Sequence, residues 1–182
     1  MQRIERIDEA SASTRTSELL ATVRKQLGGV PNILGTMAQS PAALAGYLGF
    51  AGGLASGRIP PALREQIALA VAGANECDYC ASVHTAVGSK FGLGREELER
   101  NLEGISTIDS VQVALQFARR IIASRGRIDD ADLRFVRAAG YSDEEIVEIV
   151  AHTALNIFTN YFNHVADTEI DFPVITTRAA AA

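Results

Sequence analysis

Tryptophan is missing from this chain, and 182 residues contain only three histidines and two cysteines. Two cysteines cannot staple a small secreted scaffold, and a chain of this length buries enough apolar surface to need no staple. Basic residues are scarce too, 17 against 22 acidic ones, giving a formal charge of −5. Phosphate backbones require clustered Lys and Arg, so this balance argues against nucleic acid as a partner. A long apolar run is also lacking. Residues 27–57 carry no charge, but Pro31 and Pro41 interrupt them, and the Ala/Gly-rich remainder is too short to span a bilayer. That stretch reads as a buried or subunit-facing helix, not a membrane segment. The start, Met1 to Asp8, mixes both charge signs and has no apolar stretch of the secretory type. A cytoplasmic location is expected, where free thiols stay reduced.

With 47% hydrophobic and 21% charged residues, the chain has the composition of a folded protein. Its punctuation predicts eight or nine helices and no strand. Apolar residues at 19, 20, 23 and 27 recur at helical spacing and stop at Gly28-Gly29. Pro31 opens a short helix to Met37, and Ser40-Pro41 starts the next. Along that helix Gly46, Gly49, Gly53 and Gly57 form a bare stripe, which predicts close approach by another helix. Pro60-Pro61 begins a helix ending at Asn75, and another runs from Cys77 to Phe91. Gly94 to Leu102 is short and charged. A long amphipathic helix follows from Asp109 to Ser124, then one from Asp129 to Ala139. Ser142 and Glu145 make a capping box leading into a last long helix or helix pair up to Asp167. The tail after Pro173 reads as frayed. The fold class is all-α, with a core at about 35–124, an N-terminal helical arm at about 12–34 and C-terminal helices at about 129–168. Six arginines between Arg119 and Arg137 fall on amphipathic helices and read as a solvated face.

The chemistry is concentrated in Glu65, Cys77, Cys80 and His84. Helical spacing of three and four brings the two thiols and the imidazole onto one face. Two adjacent thiols cycle between dithiol and disulfide, and an imidazole one turn beyond Cys80 accepts its proton. A helix N-terminus favours a thiolate. Glu76 and Asp78 oppose ionisation of Cys77, which makes Cys80 the expected attacking sulfur. Glu65, in the preceding helix, is either buried beside the sulfurs as a proton shuttle or turned to solvent near Arg64. Three other readings of the group remain open. A structural zinc site would need His152, His164 or Glu65 to complete its ligands. Two core cysteines would be inert. A thioredoxin-type oxidoreductase would need a preceding strand, which is lacking.

This pattern, a Glu, eleven residues, then C-x-x-C-x-x-x-H, resembles the carboxymuconolactone decarboxylase superfamily in its AhpD-like alkylhydroperoxidase branch. The turn Val30-Pro31-Asn32 and the segment from Asn160 to Asp167 also look like longer relatives. The resemblance implies an all-helical subunit associating into a homo-oligomer (dimer, trimer or hexamer). It implies a thiol-dependent peroxidase acting on organic hydroperoxides or hydrogen peroxide, without cofactor or metal, whose disulfide an external dithiol or reductase restores. The roles implied are Cys80 as peroxidatic thiol, Cys77 as resolving thiol, His84 as base and Glu65 as relay. Where the branch's namesake has His next to the second cysteine, this chain has Tyr79, which either lines the pocket, donates to a peroxide oxygen or simply packs. The alternatives are a carboxymuconolactone-decarboxylase-like enzyme, although the decarboxylases lack the cysteine pair, and a non-enzymatic thiol redox sensor. Finally, Glu145 and His164 repeat the 19-residue separation of Glu65 and His84 with matching apolar phases. This predicts two helix pairs related by duplication.

Overall fold

The computed structural model describes residues 2–177. Among these it contains nine helices and no strand: α1 (Thr14–Leu27), α2 (Asn32–Met37), α3 (Pro41–Ala55), α4 (Pro61–Ala74), α5 (Asp78–Lys90), α6 (Arg95–Leu102), α7 (Asp109–Ser124), α8 (Asp130–Ala138) and α9 (Asp143–Ala166). The boundaries follow local chemistry. Ser13 and Ser40 accept from the N–H groups of Thr16 and Ala43, and Gly28 ends α1 in the left-handed region. Asp129 with Asp132 and Ser142 with Glu145 form reciprocal capping boxes. Asp109 is the first helical residue of α7 and not its cap, which is Ile108.

Helix α4 is the hub. Six consecutive residues from Ile67 to Ala72 are buried, and α5, α6, α7 and α9 all pack around it. A helix covered on several sides has little need of amphipathic patterning. Ala and Gly make the packing tight: a Cβ on Gly73 would fall on the carbonyl oxygen of Leu102, at the end of α6. One core lies between α4, α7, α8 and α9, centred on Ile67, Leu115 and Ile149. The other joins α1, α2 and α3 to the thiols and to Ile170, Phe172 and Ile175 of the C-terminal segment.

Three expectations are corrected. The last element is one continuous helix of 24 residues, α9, where the duplication would require a pair broken like α4 and α5. The shared 19-residue spacing therefore reflects helical periodicity alone. The glycine stripe has no close neighbour among the described residues: nothing lies within 4 Å of a Cβ placed on Gly46, Gly49 or Gly53 of α3, and only the Glu148 carboxylate meets Gly57, which follows the helix. The segment after Pro173 is also anchored. Ile175 N–H donates to Ser82 Oγ at 2.9 Å, and Thr177 donates to Asp78 Oδ1 through N–H (2.8 Å) and hydroxyl (2.7 Å). The rest of the tail, 178–182, lies outside the described residues. No helix among the described residues is long and apolar enough to cross a membrane.

Candidate functional site

The junction between α4 and α5 builds the thiol pair. Asn75 ends α4, Glu76 turns left-handed at φ 55°, and Cys77 N–H closes back onto Ala72 C=O at 3.0 Å. Cys77 thus becomes the N-cap of α5, and its Sγ accepts from the Cys80 backbone N–H at 3.4 Å. It does not sit within the helix, as even spacing had suggested. A cap geometry aims its sulfur at the first free N–H groups, which favours negative charge there. Both cysteines are reduced and buried. Asn163 of α9 donates from Nδ2 to Cys80 Sγ at 3.3 Å.

The two thiols share one ionisation. Cys77 is held below the ordinary thiol value, chiefly because the Cys80 thiol hydrogen-bonds to it; burial opposes this, and the Cys80 N–H, Asn163 and His84 assist it. Cys80 is pushed well above that value, first by the same bond to Cys77, then by burial and by the charge on Cys77. The expectation that flanking carboxylates leave Cys80 the more acidic sulfur is reversed. Asp78 is taken up by Thr177, and the cap position gives Cys77 its own N–H donor.

Glu65 turns inward. Its Oε2 lies 2.7 Å from Nδ1 of His84, a hydrogen bond between α4 and α5, and both side chains are largely buried. With Nδ1–H donating to the carboxylate, Nε2 is the ring nitrogen left for proton exchange. Cys80, Glu65 and His84 border one cavity of about 220 Å³, otherwise walled mainly by apolar groups such as Leu34, Ala68, Val83 and Leu155. Cys77 is absent from that wall. It borders a separate polar cleft with Asn163 and His164.

Tyr79 is a tether. Its hydroxyl donates to Asp171 Oδ1 at 2.8 Å and accepts from Ile33 N–H at 3.2 Å, and its ring meets Phe172 edge to face. The hydroxyl is therefore committed to Asp171 and not to a substrate oxygen. Burial is the main reason its ionisation is pushed far up.

Residues 41–123 match the carboxymuconolactone decarboxylase family. A crystal structure of a peroxidase-related protein from Ralstonia eutropha JMP134, with an alkylhydroperoxidase AhpD core, superposes with a TM-score of 0.85 at 22% identity, over 93% of this chain and 92% of that one. The chain has the AhpD core fold. A peroxidase-related protein from Silicibacter sp. TM1040 is similar at TM-score 0.79 and 23% identity, over 92% of both chains. The debrominase Bmp8, as a cysteine-to-alanine variant holding 2,3,4-tribromopyrrole, is similar at TM-score 0.76 and 22% identity, over 92% of this chain and 91% of that one. No curated protein matches.

The AhpD core brings further residues to the cavity that sequence spacing did not single out. Tyr47 of α3 borders it, its phenol pushed up to about 12 by burial and by Cys80 and Glu65. His152 of α9 borders it as well, 5% exposed, with Nε2 making no hydrogen bond. Burial and the neighbouring Arg64 keep that imidazole below its ordinary value and hence neutral. A lone His in an apolar helix carries no local signal of this placement. As to the zinc reading, no group of three His, Cys, Asp or Glu among the described residues is arranged to hold a metal ion.

Proposed function

We propose that this protein is a thiol-dependent peroxidase that reduces organic hydroperoxides or hydrogen peroxide by cycling Cys77 and Cys80 between dithiol and disulfide. One observation carries the reading: Cys80 and the hydrogen-bonded Glu65–His84 pair border a single cavity, while Cys77 Sγ accepts the Cys80 backbone N–H away from its wall. Starting from both thiols protonated, transfer of the Cys80 proton to His84 Nε2 puts the thiolate at the cavity. Cys80 Sγ then attacks the O–O bond, which breaks to give Cys80 sulfenic acid and an alkoxide. His84, steadied by Glu65, protonates that alkoxide to the alcohol. Cys77 attacks the sulfenic sulfur and expels water, closing the disulfide. An external dithiol returns two electrons and two protons.

Magnitudes support a role for the imidazole. A thiol of pKa about 8.5 is only a few per cent ionised at pH 7. Lowering that pKa by about two units raises the thiolate fraction roughly 25-fold while nucleophilicity falls about tenfold, a net gain of only a few-fold. Protonating the departing oxygen brings about 10²–10⁴-fold more. The test is thiol-dependent consumption of cumene hydroperoxide with a steady supply of dithiothreitol. Turnover no faster than with free dithiol would leave a redox sensor. An activity on a lactone that survived replacement of both cysteines would leave a decarboxylase-like enzyme.

A second reading draws support from the apolar cavity wall and its two aromatic members, Tyr47 and Tyr79. The same dithiol can deliver two electrons to a halogenated ring, replacing C–Br with C–H and releasing bromide as the disulfide forms. Bromide release from a bromopyrrole, measured beside peroxide consumption, separates the two.

The reading places the protein in a reducing compartment, the cytoplasm, and as a homo-oligomer. Support for self-association comes from α3, uncharged throughout and buried only at Leu44, beside the exposed Val147, Val150, Phe158, Tyr161 and Val165 of α9. Sedimentation equilibrium tests it, and a monomer at micromolar concentration would refute it.

A further inference from the structure

The two sulfurs border different cavities. Cys80 opens on the apolar cavity of Glu65 and His84, whereas Cys77 borders a cleft of about 350 Å³ that Cys80 does not reach. Three carboxylates, Glu76, Asp78 and Asp167, stand around this cleft with one imidazole, His164. Arg3, whose guanidinium donates to the His164 carbonyl, is not part of the wall. Two residues that border the cleft, Asn163 (4% exposed) and Thr168 (8% exposed), each carry a buried polar atom with no hydrogen-bond partner, Asn163 Oδ1 and Thr168 Oγ1. Buried polar atoms normally find partners, and those that do not call for an explanation such as a ligand's donor.

We infer that this cleft is the docking site of the reductant, a neutral or cationic thiol that attacks Cys77 from the side opposite the peroxide cavity. The inference rests on the dithiol/disulfide cycle proposed above. The incoming thiolate attacks Sγ of Cys77, the Cys77–Cys80 bond breaks, and Cys80 leaves as thiolate with the electron pair. Cys77 is then held in a mixed disulfide. A second thiol of the reductant attacks its own sulfur in that bond and frees Cys77. Two protons from the reductant end on the enzyme thiols. An N–H or ammonium group beside the attacking sulfur would satisfy Asn163 Oδ1 and Thr168 Oγ1, and the carboxylates repel an anionic thiol. Separate entrances also let reductant act without displacing an apolar alcohol product from the other cavity.

The test starts from full-length protein oxidised with diamide, so that no peroxide is involved. Cysteamine, 2-mercaptoethanol and thioglycolate are compared as reductants, with rates expressed per thiolate and reactions quenched with N-ethylmaleimide. The expected order is cysteamine, mercaptoethanol, thioglycolate, with roughly tenfold between the first and last at low salt. Fragment mass spectra should place cysteamine on Cys77 and maleimide on Cys80. Asp167→Asn suits its left-handed backbone (φ 52°), and Glu76→Gln is a separate variant; each should compress that spread by about half on a logarithmic scale. Cysteamine on Cys80, or a spread that neither variant alters, would overturn the inference, as would failure of diamide to form the disulfide. If hydroperoxide fails to oxidise the pair while the diamide-made disulfide shows the expected order, the peroxidase reading falls and the reductant cleft stands.

Discussion

Oε2 of Glu65 lies 2.7 Å from Nδ1 of His84, joining α4 to α5 across the cavity that Cys80 borders. On the peroxidase reading, the carboxylate orients the ring and leaves Nε2 to handle the proton. Glu65→Gln should lower the rate of oxidation by hydroperoxide about 10-fold to 100-fold, and His84→Asn about 10²–10⁴-fold. Stopped-flow oxidation of the reduced protein reads both. In His84→Asn the dependence on alkoxide leaving-group pKa should steepen, because the departing oxygen has lost its acid. An equal rate in both variants and the parent would exclude the pair from the chemistry.

The two sulfurs should separate by substitution. Cys80→Ser is expected to abolish peroxide turnover. Cys77→Ser should give one equivalent of alcohol and stall at a sulfenic acid, detectable by dimedone capture on Cys80. Equal activity of the two variants would refute the assignment.

Asp171 ties the C-terminal segment to the site, taking the Tyr79 hydroxyl on Oδ1 and the Asn32 N–H on Oδ2 at 2.9 Å. Asp171→Ala leaves both donors buried or half-buried without an acceptor. The expected loss is about 1–3 kcal/mol per orphaned group, read as a fall in urea midpoint at constant slope. An unchanged midpoint would show that these bonds are replaced by water at no cost.

His152 makes the folded protein sensitive to acid. Burial, then Arg64, hold its imidazole below the ordinary histidine value, while Glu148 and Glu65 pull it up. The unfolded chain takes a proton near pH 6.5 and the folded one resists it until lower pH. Stability therefore falls as pH drops through about 6.5, and the whole penalty is present below the folded value. His152→Gln should flatten this limb of the stability curve, measured by urea midpoints between pH 5 and 7.5. A slope the same as the parent's would place the acid sensitivity elsewhere.

Much of the helical order could be read from the chain because its stops are chemical: Gly28, Pro41, Pro61, Asn75 and Ser142 mark ends through caps and missing N–H groups, which act locally. The Glu65–Cys80–His84 grouping was legible for a related reason, since three-and-four spacing and a loopless junction leave little freedom. Legibility stopped where distant segments meet. Even spacing does not announce that Cys77 will cap α5 and take a hydrogen bond from the Cys80 thiol, so the acidity of the two thiols comes out in the opposite order. Nothing near His152 or Tyr47 shows that α9 and α3 deliver them to the same cavity. The repeated spacing at Glu145 and His164 misled because any two amphipathic helical stretches share an apolar phase, whether or not the helix breaks midway.

On the peroxidase reading, a hydroperoxide closes Cys77 and Cys80 into one disulfide. Mass spectrometry of the reduced protein treated with one equivalent of cumene hydroperoxide tests it most directly. The peptide bearing both cysteines should lose two hydrogens, stoichiometric with cumyl alcohol, and regain them with dithiothreitol. Two intact thiols after the peroxide has been offered, or isolated sulfinic acid at one sulfur with no disulfide formed, would contradict it.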